Sequence, residues 1–331
     1  MNSAIIKGTG HYTPEHILTN ADLEKIVDTS DEWIQTRTGI QERRVLNGHN
    51  DIGLSGMATN AARDAIDDAG LEPKDIEAVI MATVTPDYRL PATATLVQHN
   101  LGIGRVALMD IVAACTGFLY GLSVSRAFIT CGMYKNVLVI GGEHLTSITN
   151  YEDRTTCVLF GDGAGAAVVS RGEPSDNGRG ILATYLAGDG QYKDLLHIPL
   201  GGSKNPFTND NAHLPGRHVH MDGREIFKLA VKEMADAAEH VLEQAGCKPS
   251  DIDMVIPHQA NHRIIEALRR RLNVPEDRVY SNIQSYGNTS SASVPIALDE
   301  ARRTGVVKEG SLVLSTAFGG GLVWGSALYR L

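Results

Sequence analysis

The chain has 331 residues, 43% of them hydrophobic and 34 of them glycine, enough to bury a large core as one big domain or two smaller ones. A formal net charge of −9 argues against a general nucleic-acid binder, which needs a basic surface, while leaving room for a local basic patch. Met1-Asn2-Ser3-Ala4-Ile5-Ile6-Lys7-Gly8 has no signal-peptide apolar region, no window approaches the about 18 apolar residues of a membrane span, and four cysteines without a Cys-x-x-Cys pair do not read as a disulfide framework, so a reducing cytosol is expected.

In chain order, the pattern predicts a helix over 60–69, buried strands over 78–83 and 106–112, a helix over 116–131, a strand over 136–141 and a strand-like run at 166–169. Residues 175–220 are rich in Gly, Asn, Asp and Pro and are expected to be loops, with a long one over 201–217. Helices follow over 223–245 and 263–272 around a short strand at 254–257, then a helix over 293–303 and a strand over 311–316. Short β-rich runs alternating with longer helical ones predict an α/β layered fold.

An internal repeat divides the chain. Ala69-Gly70-Leu71-Glu72-Pro73-Lys74-Asp75-Ile76-Glu77-Ala78-Val79-Ile80 recurs as Ala245-Gly246-Cys247-Lys248-Pro249-Ser250-Asp251-Ile252-Asp253-Met254-Val255-Ile256, with seven of twelve positions identical at an offset of 176. A second echo, Cys131-Gly132 against Thr304-Gly305, runs at offset 173 and maps Cys115 onto Asn288. Two halves of like topology are inferred, 1–172 carrying Cys115 and 173–331 carrying His258 and Asn288. All three residues fall at strand ends or helix starts, where α/β sheets bind ligands.

Cys115 stands where an apolar run meets an apolar helical stretch, so the helix N-terminus is expected to favour thiolate. Alone, Cys115 reads more readily as a small core hydrophobe; Asn288 also reads as a helix cap, and the glycines after Phe318 as readily as a plain turn. Cys131, Cys157 and Cys247 read as structural. His258 and His262 are four apart like zinc-helix histidines, but Gln259 stands where the acid would be. His218 and His220 lack a third ligand nearby in sequence. Gly161-Asp162-Gly163-Ala164-Gly165 precedes a strand-like run, whereas a phosphate cradle requires a helix. No metal site is expected.

Taken together, Cys115, Pro257-His258-Gln259-Ala260-Asn261, Gly287-Asn288-Thr289-Ser290 and Phe318-Gly319-Gly320-Gly321 resemble the thiolase-fold condensing enzymes, specifically the β-ketoacyl-acyl-carrier-protein synthase III family. Thr29-Ser30-Asp31-Glu32-Trp33-Ile34, Thr36-Arg37-Thr38-Gly39-Ile40 and Phe160-Gly161-Asp162-Gly163-Ala164-Gly165-Ala166-Ala167 extend the resemblance. It implies a five-layered αβαβα fold, a homodimer and no metal or organic cofactor. It also implies that Cys115 is the acyl-carrying nucleophile, that the Cys115 and Gly320 N–H groups form the oxyanion hole, and that His258 and Asn288 are donors to a malonyl thioester oxygen. Coenzyme A adenine would stack between Trp33 and Arg154 with Arg37 nearby, and Gly223 and Asn261 would line the pantetheine tunnel. From sequence alone, Trp33 is as readily a helix anchor. Leu90, contributed by a dimer partner, would close the acyl pocket and leave room for a primer longer or more branched than acetyl.

Arg263 and Arg270 are seven apart and share a helix face, beside Arg269 and Arg271; Arg224, Lys228 and Lys232 form a stripe on the preceding helix. These cations are expected to steer an acidic acyl carrier protein, or else to be solvated helix faces. The implied activity is the decarboxylating condensation of a short acyl-CoA primer with malonyl-acyl-carrier protein, which initiates fatty-acid synthesis. The alternatives are a specialised starter or ester-forming synthase, and a non-catalytic acyl-thioester-binding scaffold.

Overall fold

The computed structural model describes residues 3–46, 52–173, 176 and 178–331; Met1, Asn2, Ser175 and Asn177 of the stretches read above lie outside them. The first half contains β1 (Ala4–Tyr12), β2 (Ile17–Thr19), α1 (Asn20–Leu23), α2 (Asp31–Thr38), β3 (Glu42–Arg44), α3 (Gly53–Asp68), β4 (Ala78–Ala82), α4 (Thr93–Leu101), β5 (Ala107–Ile111), α5 (Gly117–Thr130), β6 (Asn136–Glu143) and β7 (Gly163–Arg171). The second contains β8 (Gly180–Gly188), β9 (Leu196–His197), β10 (His220–Met221), α6 (Gly223–Ala245), β11 (Met254–Pro257), α7 (His262–Leu272), α8 (Ile283–Tyr286), α9 (Ser293–Arg303), β12 (Leu312–Gly319) and β13 (Val323–Arg330).

Two sheets repeat one topology, β1-β7-β6-β4-β5 and β8-β13-β12-β11. In each, the first three strands named run antiparallel and the remaining pairs run parallel, as in β6 with β4 and β12 with β11. Helices α5 and α9 lie between the sheets, α3 and α4 cover the outside of the first, and α6 and α7 cover the second, giving five layers. Central α5 buries Phe118, Leu119, Leu122 and Ile129 because sheets flank it on both sides.

One offset relates most paired elements of the two halves, though not β7 and β13, whose starts lie 160 residues apart. At 176 residues, Ala4 of β1 maps onto Gly180 of β8, Ala78 of β4 onto Met254 of β11, Asn136 of β6 onto Leu312 of β12, and Gly117 of α5 onto Ser293 of α9. The one-turn 3-10 segments Ala114–Thr116 and Ser290–Ala292 also correspond, and each opens on a left-handed non-glycine residue, Ala114 at φ 43° and Ser290 at φ 50°. Cys115 therefore corresponds to Ser291, which corrects the expected pairing with Asn288. The offset of 173 is local to the helix ends: α9 has 11 residues against 14 in α5, so Thr304 and Cys131 align as C-caps.

Other boundaries also shift. The helix expected over 60–69 starts earlier, at Gly53, and the strand expected over 311–316 runs on to Gly319, so Phe318 and Gly319 belong to the strand. Asn288 opens no helix; α9 begins five residues later, after the Ser290–Ala292 turn. The stretch 201–217 is the expected loop, with one short 3-10 turn at Pro215–Arg217. Gly163 begins β7 as the strand-like run predicted, and all four cysteines are free.

Candidate active site

The turn after β5 carries Cys115, the end of β11 leads into His258, and a loop ahead of α9 carries Asn288. All three line one narrow cavity of about 140 Å³, together with Phe160, Leu196 and Phe318. A second, apolar lobe of about 260 Å³ also reaches Cys115 and is lined by Val84, Leu145, Ile148, Phe160, Ile198 and Gly320. Cys115 is thus the junction between a lobe with polar donors and a lobe suited to an alkyl chain.

Hydrogen bonds fix each polar group. His258 Nδ1 lies 2.6 Å from Ser293 Oγ, and that oxygen accepts from the Gln259 N–H at 3.4 Å. With the Ser293 hydroxyl donating to Nδ1, the ring carries its proton on Nε2, where it is a donor. Burial depresses His258 to about 3, so the ring is neutral. Asn288 Oδ1 accepts from the Ser290 N–H at 2.8 Å, which leaves its Nδ2 group to donate. Its backbone is clamped by Asn288 N–H to Leu159 O at 2.8 Å and Gly161 N–H to Asn288 O at 3.1 Å.

The thiol itself differs from expectation. Burial, with the nearby Glu143 adding to it, pushes Cys115 up to about 12 against an ordinary 9.0, while the Ser290 hydroxyl pulls the other way. Gly319 lets the strand approach closely, since a Cβ there would lie 2.6 Å from Cys115 N and 3.0 Å from Ala114 Cβ.

Comparisons with known proteins agree with one another. Residues 109–190 match the family described as 3-Oxoacyl-[acyl-carrier-protein (ACP)] synthase III, and residues 242–331 match its C-terminal part. The chain is 53% identical, over 99% of its length and 98% of the relative's, to the beta-ketoacyl-[acyl-carrier-protein] synthase III of Caldanaerobacter subterraneus subsp. tengcongensis. The crystal structure of 3-oxoacyl-[acyl-carrier-protein] synthase III from Aquifex aeolicus superposes with a TM-score of 0.91 at 50% identity, covering 100% of both chains. The priming beta-ketosynthase from the R1128 polyketide pathway superposes at 0.90 with 35% identity, covering 99% of this chain and 96% of that one. The chain belongs to the 3-oxoacyl-[acyl-carrier-protein] synthase III family. It is a condensing acyltransferase of fatty-acid biosynthesis with the thiolase-like fold.

The remaining sites read from this synthase's sequence fall into three groups. Around the cavity mouth, Gly223 and Asn261 line the donor lobe, and Asn261 also caps α7 by accepting from the Arg263 N–H at 2.8 Å. His258 lies ahead of that helix, so it shares no helical face with His262. Trp33 sits on α2 with two guanidiniums over its ring, Arg37 at 5.6 Å and Arg154 at 5.1 Å from the ring centre.

The basic patch is narrower than the sequence predicts. Arg269 and Arg270 both pair with Glu266, at 2.7 and 2.6 Å, Lys228 pairs with Glu225 at 2.8 Å, Lys232 with Glu233 at 2.6 Å, and Arg271 with Asp236 at 2.5 Å. Acids on α6 and α7 neutralise these cations, Arg271 across the two helices. Among the described residues Arg224 and Arg263 form no ion pair; Arg263 lies over Phe227, which lines the donor lobe. Leu90 is 86% exposed and lies outside both lobes of its own chain.

Sequence reasoning missed Ser293, which orients His258, and Glu143, a buried carboxyl at the end of β6. The available signal for Glu143 was an acid directly after an apolar strand, where an unpaired charge is costly.

Proposed function

We propose that the enzyme condenses an acyl-CoA primer with malonyl-acyl-carrier protein through an acyl-Cys115 intermediate. The observation that carries this reading is the convergence of Cys115, His258 and Asn288 on one cavity, with a neutral histidine and an amide as donors. Cys115 Sγ attacks the primer thioester, coenzyme A leaves, and the acyl chain occupies the apolar lobe. The Cys115 and Gly320 N–H groups serve as oxyanion donors. The malonyl thioester oxygen then takes hydrogen bonds from His258 Nε2 and Asn288 Nδ2; loss of CO₂ leaves enolate charge on that oxygen, and preset donors lower that barrier. The enolate carbon attacks the acyl carbonyl, Cys115 is released, and a 3-ketoacyl thioester forms. This sequence calls for no metal or organic cofactor.

Trp33, Arg37 and Arg154 serve the adenine of coenzyme A, the flat indole and guanidiniums accepting a purine between them. Arg224 and Arg263 lead the docking of an acidic carrier protein, with Lys228, Arg269 and Arg270 at its rim. A homodimer is supported by β5, an edge strand, and by the exposed apolar Tyr88, Leu90 and Val112. No described helix is long and apolar enough to cross a membrane, and the cytoplasm is the proposed compartment.

The test is intact-mass spectrometry after acyl-CoA addition. The wild type gains one acyl group and Cys115→Ser gains none; normal condensation by that variant refutes the reading. The same assay with acetyl-, isobutyryl- and octanoyl-CoA tests the Leu90 proposal, which a strict acetyl preference would overturn. The similarity to a polyketide priming synthase keeps a specialised starter role as the second reading; product analysis with malonyl-carrier protein separates the two.

A further inference from the structure

Attack by Cys115 requires its proton to leave, and burial holds that proton on sulfur. His258 is a poor acceptor, since its Nδ1 is engaged by Ser293 and its ring resists protonation. Glu143 is different. Its carboxyl, wholly buried, takes hydrogen bonds from Thr83 Oγ1 at 3.0 Å, Thr85 Oγ1 at 2.7 Å, the Val84 N–H at 3.0 Å, Ser291 Oγ at 3.0 Å and Ser290 Oγ at 3.3 Å. Among the described residues no Lys or Arg pairs with it. Burial raises it to about 7, so it takes up a proton near neutrality.

Ser290 stands between the two groups. Its hydroxyl donates to Glu143 Oε1 at 3.3 Å, and Ser290 and Cys115, on turns that pack against each other, line the same lobe. A hydroxyl has one proton to donate and lone pairs to accept with. Bonded to Glu143 it accepts from the thiol; turned toward sulfur it stabilises thiolate. The titratable groups around this carboxyl are few. Cys115 faces it from the turn before α5, and His144, the residue just after its strand, binds Thr85 Oγ1 through its backbone N–H. The 83–85 loop and the 290–292 turn bring hydroxyls and amides.

We propose that Ser290 and Glu143 form a proton relay for Cys115, resting on the reading of Cys115 as the acyl-carrying nucleophile. As sulfur attacks the thioester carbonyl, the S–H bond breaks, its proton passes to Ser290 Oγ, and the Ser290 hydroxyl proton passes to Glu143 Oε1. When the tetrahedral intermediate collapses, the carbon–sulfur bond to coenzyme A breaks and the electron pair leaves on that sulfur. The proton returns from Glu143 through Ser290 to the departing thiolate. Nothing is oxidised or reduced, and no further reactant is needed.

The experiment measures acylation of Cys115 by rapid-quench mass spectrometry from pH 6 to 9, and separately malonyl decarboxylation, which His258 and Asn288 support without a thiol proton transfer. Glu143→Gln and Ser290→Ala should each slow acylation at neutral pH by about 100-fold, the scale of a lost general base, with a rate that recovers as pH rises. Decarboxylation should change by less than about threefold on that scale. Ser291→Ala removes another Glu143 contact but not the relay, and should acylate within about threefold of wild type. Ser290→Ala keeps Glu143 in place, so it carries the test if Glu143→Gln does not fold. Unchanged acylation in Ser290→Ala overturns the relay. So does a parallel loss of acylation and decarboxylation, or a Ser291→Ala defect equal to that of Ser290→Ala, because a structural clamp would produce either. A wild type that never acylates would instead overturn the reading beneath it.

Discussion

Cys115 sits under two opposing influences. The N-terminus of α5 favours thiolate by roughly 0.3–1 kcal/mol, reaching about 2 in partly buried sites. The rise from 9.0 to about 12 corresponds to about 4 kcal/mol against it. Burial wins, which is why reading a helix start from sequence gave the wrong direction for this thiol. The donors opposite were legible as residue types, because histidine after a buried strand and asparagine in Gly-Asn-Thr-Ser are strong signals in company. Their tautomer and orientation were not legible, since these depend on Ser293 and the Ser290 N–H, which only the fold brings near. If both are donors to developing enolate charge, His258→Ala and Asn288→Ala should each lower malonyl decarboxylation by about 10²–10³-fold, the cost of one lost oxyanion donor. Acylation of Cys115, followed by mass, should persist in both. Loss of acylation alongside decarboxylation would assign them a different role.

At the scale of elements, the buried inner strands and the amphipathic helices were readable, and the strands that open the two sheets, β1 and β8, were not. Strand β1 contains Gly8 and Gly10, which read locally as turn residues. Both are explained by tertiary contact: a Cβ at either position would come within 2.4 Å of α3, at Ala65 O and Ala61 O. The repeat shows the same limit, since the correct offset of 176 was visible in a helix–turn–strand motif, yet a three-residue difference in helix length produced a false one. Contact between the halves depends on such close approaches. At Gly141 of β6, a Cβ would lie 2.3 Å from Ser291 O and 3.3 Å from Phe118 Cβ. A backbone oxygen has little room to yield, so Gly141→Ala should destabilise by about 1–3 kcal/mol, as overpacked cores do. Gly104→Ala, with nothing within 4 Å of its Cβ, is the control and should move the urea midpoint little. Equal midpoints for both variants would contradict the close packing of the two halves at this turn.

Across the whole molecule, two buried groups give stability opposing dependences on pH. His258 falls from 6.5 to about 3 on folding, so the unfolded chain binds the extra proton between those values. Stability from this group is complete above 6.5 and is lost as pH falls toward 3. Glu143 rises from 4.5 to about 7, so the folded chain binds the extra proton there. Its contribution is complete below 4.5 and is lost as pH rises through 7. Between pH 4 and 8 each group spans roughly 2.5 pH units, or about 3 kcal/mol, with opposite sign. The two therefore nearly cancel in the wild type. Removing one should expose the other: relative to wild type, His258→Gln should gain about 3 kcal/mol at pH 4 over its value at pH 8, and Glu143→Gln should gain a similar amount at pH 8 over its value at pH 4. Urea unfolding of the three proteins at both pH values reads these differences directly, and groups common to all three drop out of the comparison. Wild-type-minus-variant differences that do not change with pH would mean that neither group is held in its uncharged form by burial, and Glu143 would then be an ordinary carboxylate, a weaker base for the relay.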